Sequence, residues 1–215
     1  MTGKQRAGAY VDGFNLYYGS LKGHPDRKWL DIFKLCSTFL PGAELAHVVY
    51  CTARIVDRSS TGDASTRQDH YLQALKAAPG EVEIIEGQFQ VKNKTMYRSS
   101  PATCGVCDPR FVEVVKTEEK GSDVNLAVRL VEDALTQRIE VALVISGDSD
   151  LQRAVDVARG AGVRVIVVDP RNRPQSALRA DERRRLRGGN LLNCQLPTEL
   201  QGVEGHRIAR PQTWT

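Results

Sequence analysis

The sequence predicts an α/β fold on a mostly parallel sheet, and three observations predict it. Short β-rich runs alternate with segments of helical periodicity as far as about position 196. Two of those runs, 141–145 and 163–168, are nearly all apolar, as central strands covered on both faces should be. Acids stand where strands end. Asp12 closes the run at 7–11, and Asp148 and Asp150 follow Ile145 within Ser146-Gly147-Asp148-Ser149-Asp150. In an open parallel sheet the ligand crevice lies beyond the carboxyl ends of the strands.

Each element has its own justification. A first strand ends at Tyr10-Val11, Gly13 allows a sharp turn, and residues 14–21 read as a short helix. A second helix is expected over 30–40, with Leu30, Ile32, Phe33, Leu35 and Phe39 apolar and Pro41-Gly42 as its stop. Val48-Val49-Tyr50 marks strand two within 44–55. Residues 65–78 place Tyr71, Leu72, Leu75 and Ala78 on one helix face before Pro79-Gly80, and 82–85 is strand three. Residues 88–116 break the alternation. Phe89, Val91, Met96 and Tyr97, then Phe111, Val112, Val114 and Val115, predict the two arms of an inserted β-hairpin flap. From Ser122, Val124, Ala127, Val128, Val131 and Leu135 recur at helical spacing, with Asp123 opening the helix. Strand four is 141–145, and Leu151, Ala154, Val155 and Ala158 mark a helix that stops at Gly160. Strand five is 163–168. A loop then runs from Pro170 to Pro174, followed by a basic helix over 176–187 and a possible last strand over 191–196. Residues 198–215 lack periodicity and are expected to be a mobile tail, which leaves a single domain over 1–197.

The bulk properties agree with one soluble domain. A chain of 215 residues, 41% hydrophobic, is long enough for one α/β core and too short for two large ones. Its apolar runs fall well short of the roughly 20 residues that a membrane span needs. The start, Met1 to Arg6, lacks an apolar signal core, so secretion is not expected. Five cysteines, with Cys36, Cys51 and Cys194 in or beside apolar stretches, read as reduced thiols in a cytoplasm. The net charge of +4 is unevenly placed: residues 171–187 carry seven arginines against Asp181 and Glu182, a net of +5, leaving −1 for the rest. A localised patch of this kind suits a polyanion.

Taken singly, each acid has a structural explanation. Asp148 can cap a helix, Asp150 and Asp123 suit the positive end of a helix dipole, and Asp12 can stabilise a turn. Taken together they point elsewhere. Asp12 and Asp148 terminate strands whose ends must be neighbours, and the helix that Asp123 opens must start on the same rim. Carboxylates gathered there repel unless a cation joins them, and hard divalent ions, magnesium or manganese, take oxygen ligands. Such a site lowers the pKa of a bound water and stabilises a leaving oxygen, so it cleaves or transfers phosphate esters. His24, His47, His70 and His206 have no H-x-x-x-H spacing, which disfavours a zinc hydrolase.

Val11-Asp12-Gly13-Phe14-Asn15-Leu16, Lys120-Gly121-Ser122-Asp123-Val124 and Ile145-Ser146-Gly147-Asp148-Ser149-Asp150-Leu151 occur in that order. This set resembles the NYN domain family, the LabA-like branch of the PIN-like nucleases, over about residues 7–170. The resemblance implies a three-layer α/β/α sandwich with sheet order 3-2-1-4-5 and a magnesium- or manganese-dependent ribonuclease. It makes Asp12, Asp123 and Asp148 the core metal-binding acids and Asp150 the second acid of its loop. Asn15 would orient a substrate phosphate or water, Ser146 would help through its hydroxyl, and Lys120 would neutralise phosphate or simply be solvated. It also implies an RNA partner and allows a homodimer.

Arg179, Arg183 and Arg187, at i, i+4 and i+8, would share one helix face and offer planar forks to RNA phosphates; a solvated surface helix is the plainer alternative. Tyr17, Tyr18, Phe89 and Tyr97 suit base stacking and core packing equally. Cys104 and Cys107 form a lone C-x-x-C. Structural zinc wants four ligands, so two free thiols at a hairpin tip is the preferred reading, with a zinc half-site or a redox pair as alternatives. Two further functions compete with the nuclease. One is a non-catalytic RNA-binding or regulatory module of the same fold. The other is a haloacid-dehalogenase-type phosphatase, disfavoured because it wants a second acid where Phe14 stands.

Overall fold

The computed structural model describes residues 3–55, 63–97, 99, 111–173, 178–202 and 205–214. Its elements in chain order are β1 (Gln5–Asp12), α1 (Gly13–Leu16), α2 (Ile32–Thr38), β2 (Ala43–Ala53), α3 (Asp63–Ala77), β3 (Val82–Tyr97), β4 (Phe111–Lys120), α4 (Ser122–Leu135), β5 (Val141–Ile145), α5 (Gln152–Gly160), β6 (Arg164–Asp169), β7 (Glu182–Arg185) and α6 (Gly188–Asn193), then a small hairpin of β8 (Glu199–Gln201) and β9 (Arg207–Ala209). The main sheet runs β4-β3-β2-β1-β5-β6-β7. Every adjacent pair is parallel except β3 with β4.

The strand period of two divides the core into two layers, because successive side chains point to opposite faces. Ala7, Ala9 and Val11 of β1 join Leu143, Ile145, Ile166 and Val168 on one face, under Leu35 of α2, Leu72 and Leu75 of α3, and Leu191 of α6. Tyr10 joins Val144, Val165 and Val167 on the other face, under Leu126 and Leu130 of α4 and Val155 and Ala158 of α5. Strands buried on both faces explain why these runs lack polar alternation.

β3 changes partner halfway along. Val82 to Gly87 pair with β2, and Gln88 to Tyr97 pair antiparallel with β4, from Gln88↔Lys120 to Tyr97↔Phe111. Gly87 stands at the change, where a Cβ would collide with Glu119 Oε1 and come within 2.7 Å of the Lys120 carbonyl. Cys104 and Cys107 lie outside the described residues. Cys36, Cys51 and Cys194 are buried free thiols.

Several elements differ from the sequence reading. No basic helix occupies the described part of 176–187. Glu182 to Arg185 instead pair with β6 as an edge strand, from Ile166↔Glu182 to Asp169↔Arg185, so Arg179, Arg183 and Arg187 share no helix face. An open sheet edge outweighed the helical spacing of three arginines. Residues 188–193 are helical, and only Gln195 forms a bridge, to Leu30. The aperiodic stretch after 198 carries the β8–β9 hairpin, with Ile208 buried and Trp214 packed against Trp29 and Tyr71. Its anchors are too few to make a period. Along α4 the stripe Val124, Val128 and Leu135 faces solvent, and the buried face is Ser122, Leu126, Leu130 and Ala134. Among the described residues no helix is long and apolar enough to cross a membrane.

One buried acid is structural. Asp133, near the end of α4, accepts from Tyr10 Oη at 2.7 Å, lies 3.0 Å from His47 Nε2, and has the guanidiniums of Arg138 at 3.4 Å and Arg129 at 3.5 Å. This network ties α4 to β1 and β2 at the rim opposite the strands' carboxyl ends. A buried carboxylate is tolerable here because cations and donors surround it.

Candidate functional site

Asp12 is the last residue of β1 and is 4% exposed. Val11 lies opposite Ile145 in the β1–β5 register, so Asp12 and Ser146 leave the sheet side by side. The buried Ser146 hydroxyl donates to Asp12 Oδ2 at 2.9 Å and accepts the Asp148 N–H at 3.1 Å. Asp12 Oδ1 accepts the Asn15 N–H at 2.8 Å and so caps α1. Two hydrogen bonds in series thus lock the acid of the first strand to the loop after β5. Gly147 completes the lock. Its N–H donates to Asn15 Oδ1 at 3.3 Å, and its carbonyl accepts from Arg173, whose Nε is 3.0 Å from Asp169 Oδ2. A Cβ at Gly147 would stand 2.6 Å from Asp169 Oδ1, so the loop's close approach to β6 requires glycine.

Asp123 enters from α4, whose N-cap Gly121 sits at φ 101° and has no side chain to satisfy the first N–H groups. Its first turn is a favourable place for negative charge. Glu119, from the last residues of β4, accepts the N–H of Ser122 at 3.0 Å and its hydroxyl at 2.7 Å. Asp12, Glu119, Asp123 and Asp148 line one cavity of about 270 Å³ with Asn15, Arg171 and an apolar wall of Phe14, Tyr18 and Phe89.

The electrostatics contrast with those at Asp133. Arg171 is the one cation among the described lining residues. Burial raises the pKa of Asp12, against which the Asn15 N–H and the Ser146 hydroxyl pull it down, while Asp148 and Glu119 push it further up. Asp123 is raised to about 6, first by burial and then by the charges of Asp12, Asp148, Glu119 and Asp150. A cavity whose neighbouring carboxylates raise the pKa of Asp12 and Asp123 favours a positive charge among them.

The donor set fits a hard divalent cation: oxygen ligands only, from three separate segments, on a rigid floor. Among the described residues no three acid, histidine or cysteine side chains already converge to chelating distance. Asp12, Glu119 and Asp148 are each held by a backbone N–H, and Asp12 and Glu119 by a serine hydroxyl as well.

The sequence-predicted residues fall into three groups. Asp12, Asn15, Asp123 and Asp148 are brought together, with Ser146 directly beneath them. Asp150 is exposed outside the cavity; its N–H donates to Asp148 Oδ1 at 3.1 Å, and its charge reaches Asp123. Lys120 pairs with Glu118 at 3.2 Å and does not line the cavity. Arg179 lies in a loop against Gln152, and the backbone N–H of Arg187 donates to Asn190 Oδ1 at 3.0 Å. Arg183 lines a second cavity of about 260 Å³ with Arg173, Arg184 and Arg185, beside the acid site. Glu119 and Arg171 went unrecognised in the sequence. Glu119 is one of a Glu-Glu pair just before the Lys120-Gly121-Ser122-Asp123 motif and outside it, and only the alternation of β4 selects it.

A family model described as the NYN domain matches residues 6–184. The chain is also 30% identical over 243 aligned positions to 6-hydroxy-3-succinoylpyridine 3-monooxygenase of Pseudomonas putida, covering 97% of this chain and 75% of that protein. No solved structure shows a significant match.

Proposed function

Since this chain belongs to the NYN domain family, we propose that it is a metal-dependent ribonuclease of the PIN-like type, cleaving RNA phosphodiester bonds at the acid cavity. The observation that carries this reading is the meeting of Asp12, Asp123 and Asp148 with Glu119 in one cavity whose burial and mutual repulsion raise Asp12 and Asp123. The β3-β2-β1-β5-β6 order of the parallel strands supports the PIN-like assignment.

Asp12, Asp123 and Asp148 would hold magnesium or manganese, with Glu119 beside them. Such an ion neutralises a phosphate, lowers the pKa of water and stabilises the leaving oxygen. The chain's own residues do the rest. Ser146 keeps the Asp12 and Asp148 segments in register. Asn15 has its amide oxygen held by Gly147, so its NH2 end is left to donate to a phosphate oxygen. Arg171 supplies the cationic fork at the rim, and the Arg173, Arg183 and Arg185 cavity continues the positive track along the RNA backbone. Asp150 acts from outside the cavity through its charge. Phe14 stands where the phosphatase reading needs an acid, which counts against that reading.

The experiment is cleavage of labelled RNA with manganese, magnesium or chelator, comparing wild type with Asp12→Asn and Asp148→Asn. Divalent-dependent cleavage lost in both variants supports the nuclease. Binding without cleavage under every condition points to the RNA-binding module. A second reading comes from the relative's name and from an aromatic cavity adjoining the acids, lined by Tyr17, Tyr18, Tyr71 and Trp214. It is ring oxidation of a small aromatic acid, one oxygen atom of O2 entering the ring and the other leaving as water with two electrons from an added reductant of the nicotinamide class, and its test is dioxygen and reductant consumption with 6-hydroxy-3-succinoylpyridine.

A further inference from the structure

The aromatic cavity has about 270 Å³ of space and shares Phe14, Tyr18 and Phe89 with the acid cavity, so the two are compartments of one cleft. Pockets for drug-sized ligands begin at about 300 Å³, so this compartment suits a single ring system. Its inner end is closed by Tyr71 and Trp214, edge to face with centroids 6.0 Å apart. Its mouth is formed by Tyr17 and Tyr18, themselves edge to face at 5.3 Å; Tyr18 is 57% exposed, which core packing does not explain. Two cations, Lys28 and Arg67, also line it. Lys28 Nζ lies 5.7 Å from the Tyr17 ring centroid, and burial followed by repulsion from Arg67 lowers its pKa. Among the described residues Arg67 has an ion-pair partner in Asp63, at 3.9 Å and largely in solvent. An apolar slot with a pair of mutually repelling cations at one side and a phosphate-handling site at the other matches one chemical unit, a planar base between two phosphates.

We propose that this cavity is a nucleotide subsite: it takes the base of the RNA residue next to the scissile phosphate, stacking it on Tyr18 and Phe89, while Lys28 and Arg67 receive the following phosphate. The subsite rests on the nuclease reading and deepens it, since it makes the substrate single-stranded at that residue. Stacking on aromatic side chains accepts any base, so the preference created is for an unpaired base more than for a sequence.

Trp214 lines the cavity and serves as the reporter, because the only other tryptophan, Trp29, is fully buried. Full-length Asp12→Asn protein is titrated with uridine or adenosine 3′,5′-bisphosphate, with ribose 5-phosphate and with benzoate, following tryptophan fluorescence excited at its red edge. The expected result is saturable quenching by both bisphosphates and none by ribose 5-phosphate. Tyr18→Ala and Arg67→Ala each weaken binding about tenfold or more, as loss of a stacking or charge contact does. Both side chains are partly solvated, and matching thermal unfolding checks that the variants fold. No quenching, equal quenching by ribose 5-phosphate, tighter binding of benzoate than of either bisphosphate, or unchanged affinity in Tyr18→Ala overturns the proposal. Failure of the nuclease reading shows separately, as wild-type protein that quenches normally but leaves RNA intact with manganese.

Discussion

Asp123→Asn is expected to make the metal-free protein more stable while removing its response to divalent cations. In the fold Asp123 titrates near 6 instead of its ordinary 3.8, a rise caused by burial and by four neighbouring acids. A raised acid favours the folded state only while protonated. Its contribution is fully present below pH 3.8 and is lost as pH rises through about 6, so at neutral pH the ionised Asp123 opposes folding. A rise of about two units corresponds to at most about 3 kcal/mol, at 1.36 kcal/mol per unit. The carboxyl is half in contact with solvent, and screening reduces this to about 1 kcal/mol. For a domain of this size that is a Tm about 2–4 °C higher for the variant. The gain should appear at pH 7.5 and vanish near pH 4. Manganese at 100 times its Kd would stabilise wild type by about 2.7 kcal/mol and reverse the order of the two proteins. Differential scanning calorimetry of both proteins at the two pH values, with and without manganese, measures all of this. A variant less stable than wild type at pH 7.5 in chelator, or an equal manganese shift in both, would refute the account of Asp123 as a repelled, cation-seeking carboxylate.

Ser146→Ala leaves Asp12 Oδ2 and the Asp148 N–H without their buried partner; a loss of about 1–3 kcal/mol in urea unfolding is expected, with kcat falling more than KM rises. Arg171→Ala should weaken RNA binding and lower the slope of log K against log salt by about one, measured by fluorescence polarisation. Arg187→Ala, outside both cavities, should leave that slope nearly unchanged. Asp133→Ala removes the acid at the centre of the Tyr10, His47, Arg129 and Arg138 network; about 3–5 kcal/mol of stability should be lost, with the manganese affinity of the folded protein unaltered when read by calorimetry at low temperature.

The amino-acid order alone determined the strand–helix alternation, the buried character of 141–145 and 163–168, and the three segments that carry Asp12, Asp123 and Asp148. Those features are local: a strand buried on both faces must be apolar along its length, and a helix start or strand end is marked by the residues that cap it. What lay beyond reading was decided by partners distant in the chain. Arg183 lies in a strand because β6 offers it an open edge. Val124 and Val128 face water because Leu126 and Leu130, two residues on, face the sheet. The stretch after 198 docks because Trp214 finds Trp29 and Tyr71. Glu119 belongs to the acid cavity because β3 changes partner at Gly87 and brings the end of β4 over the rim. Periodicity reports which residues share a face, but which face meets the core, and which neighbouring charges go uncompensated, are properties of the assembled layers.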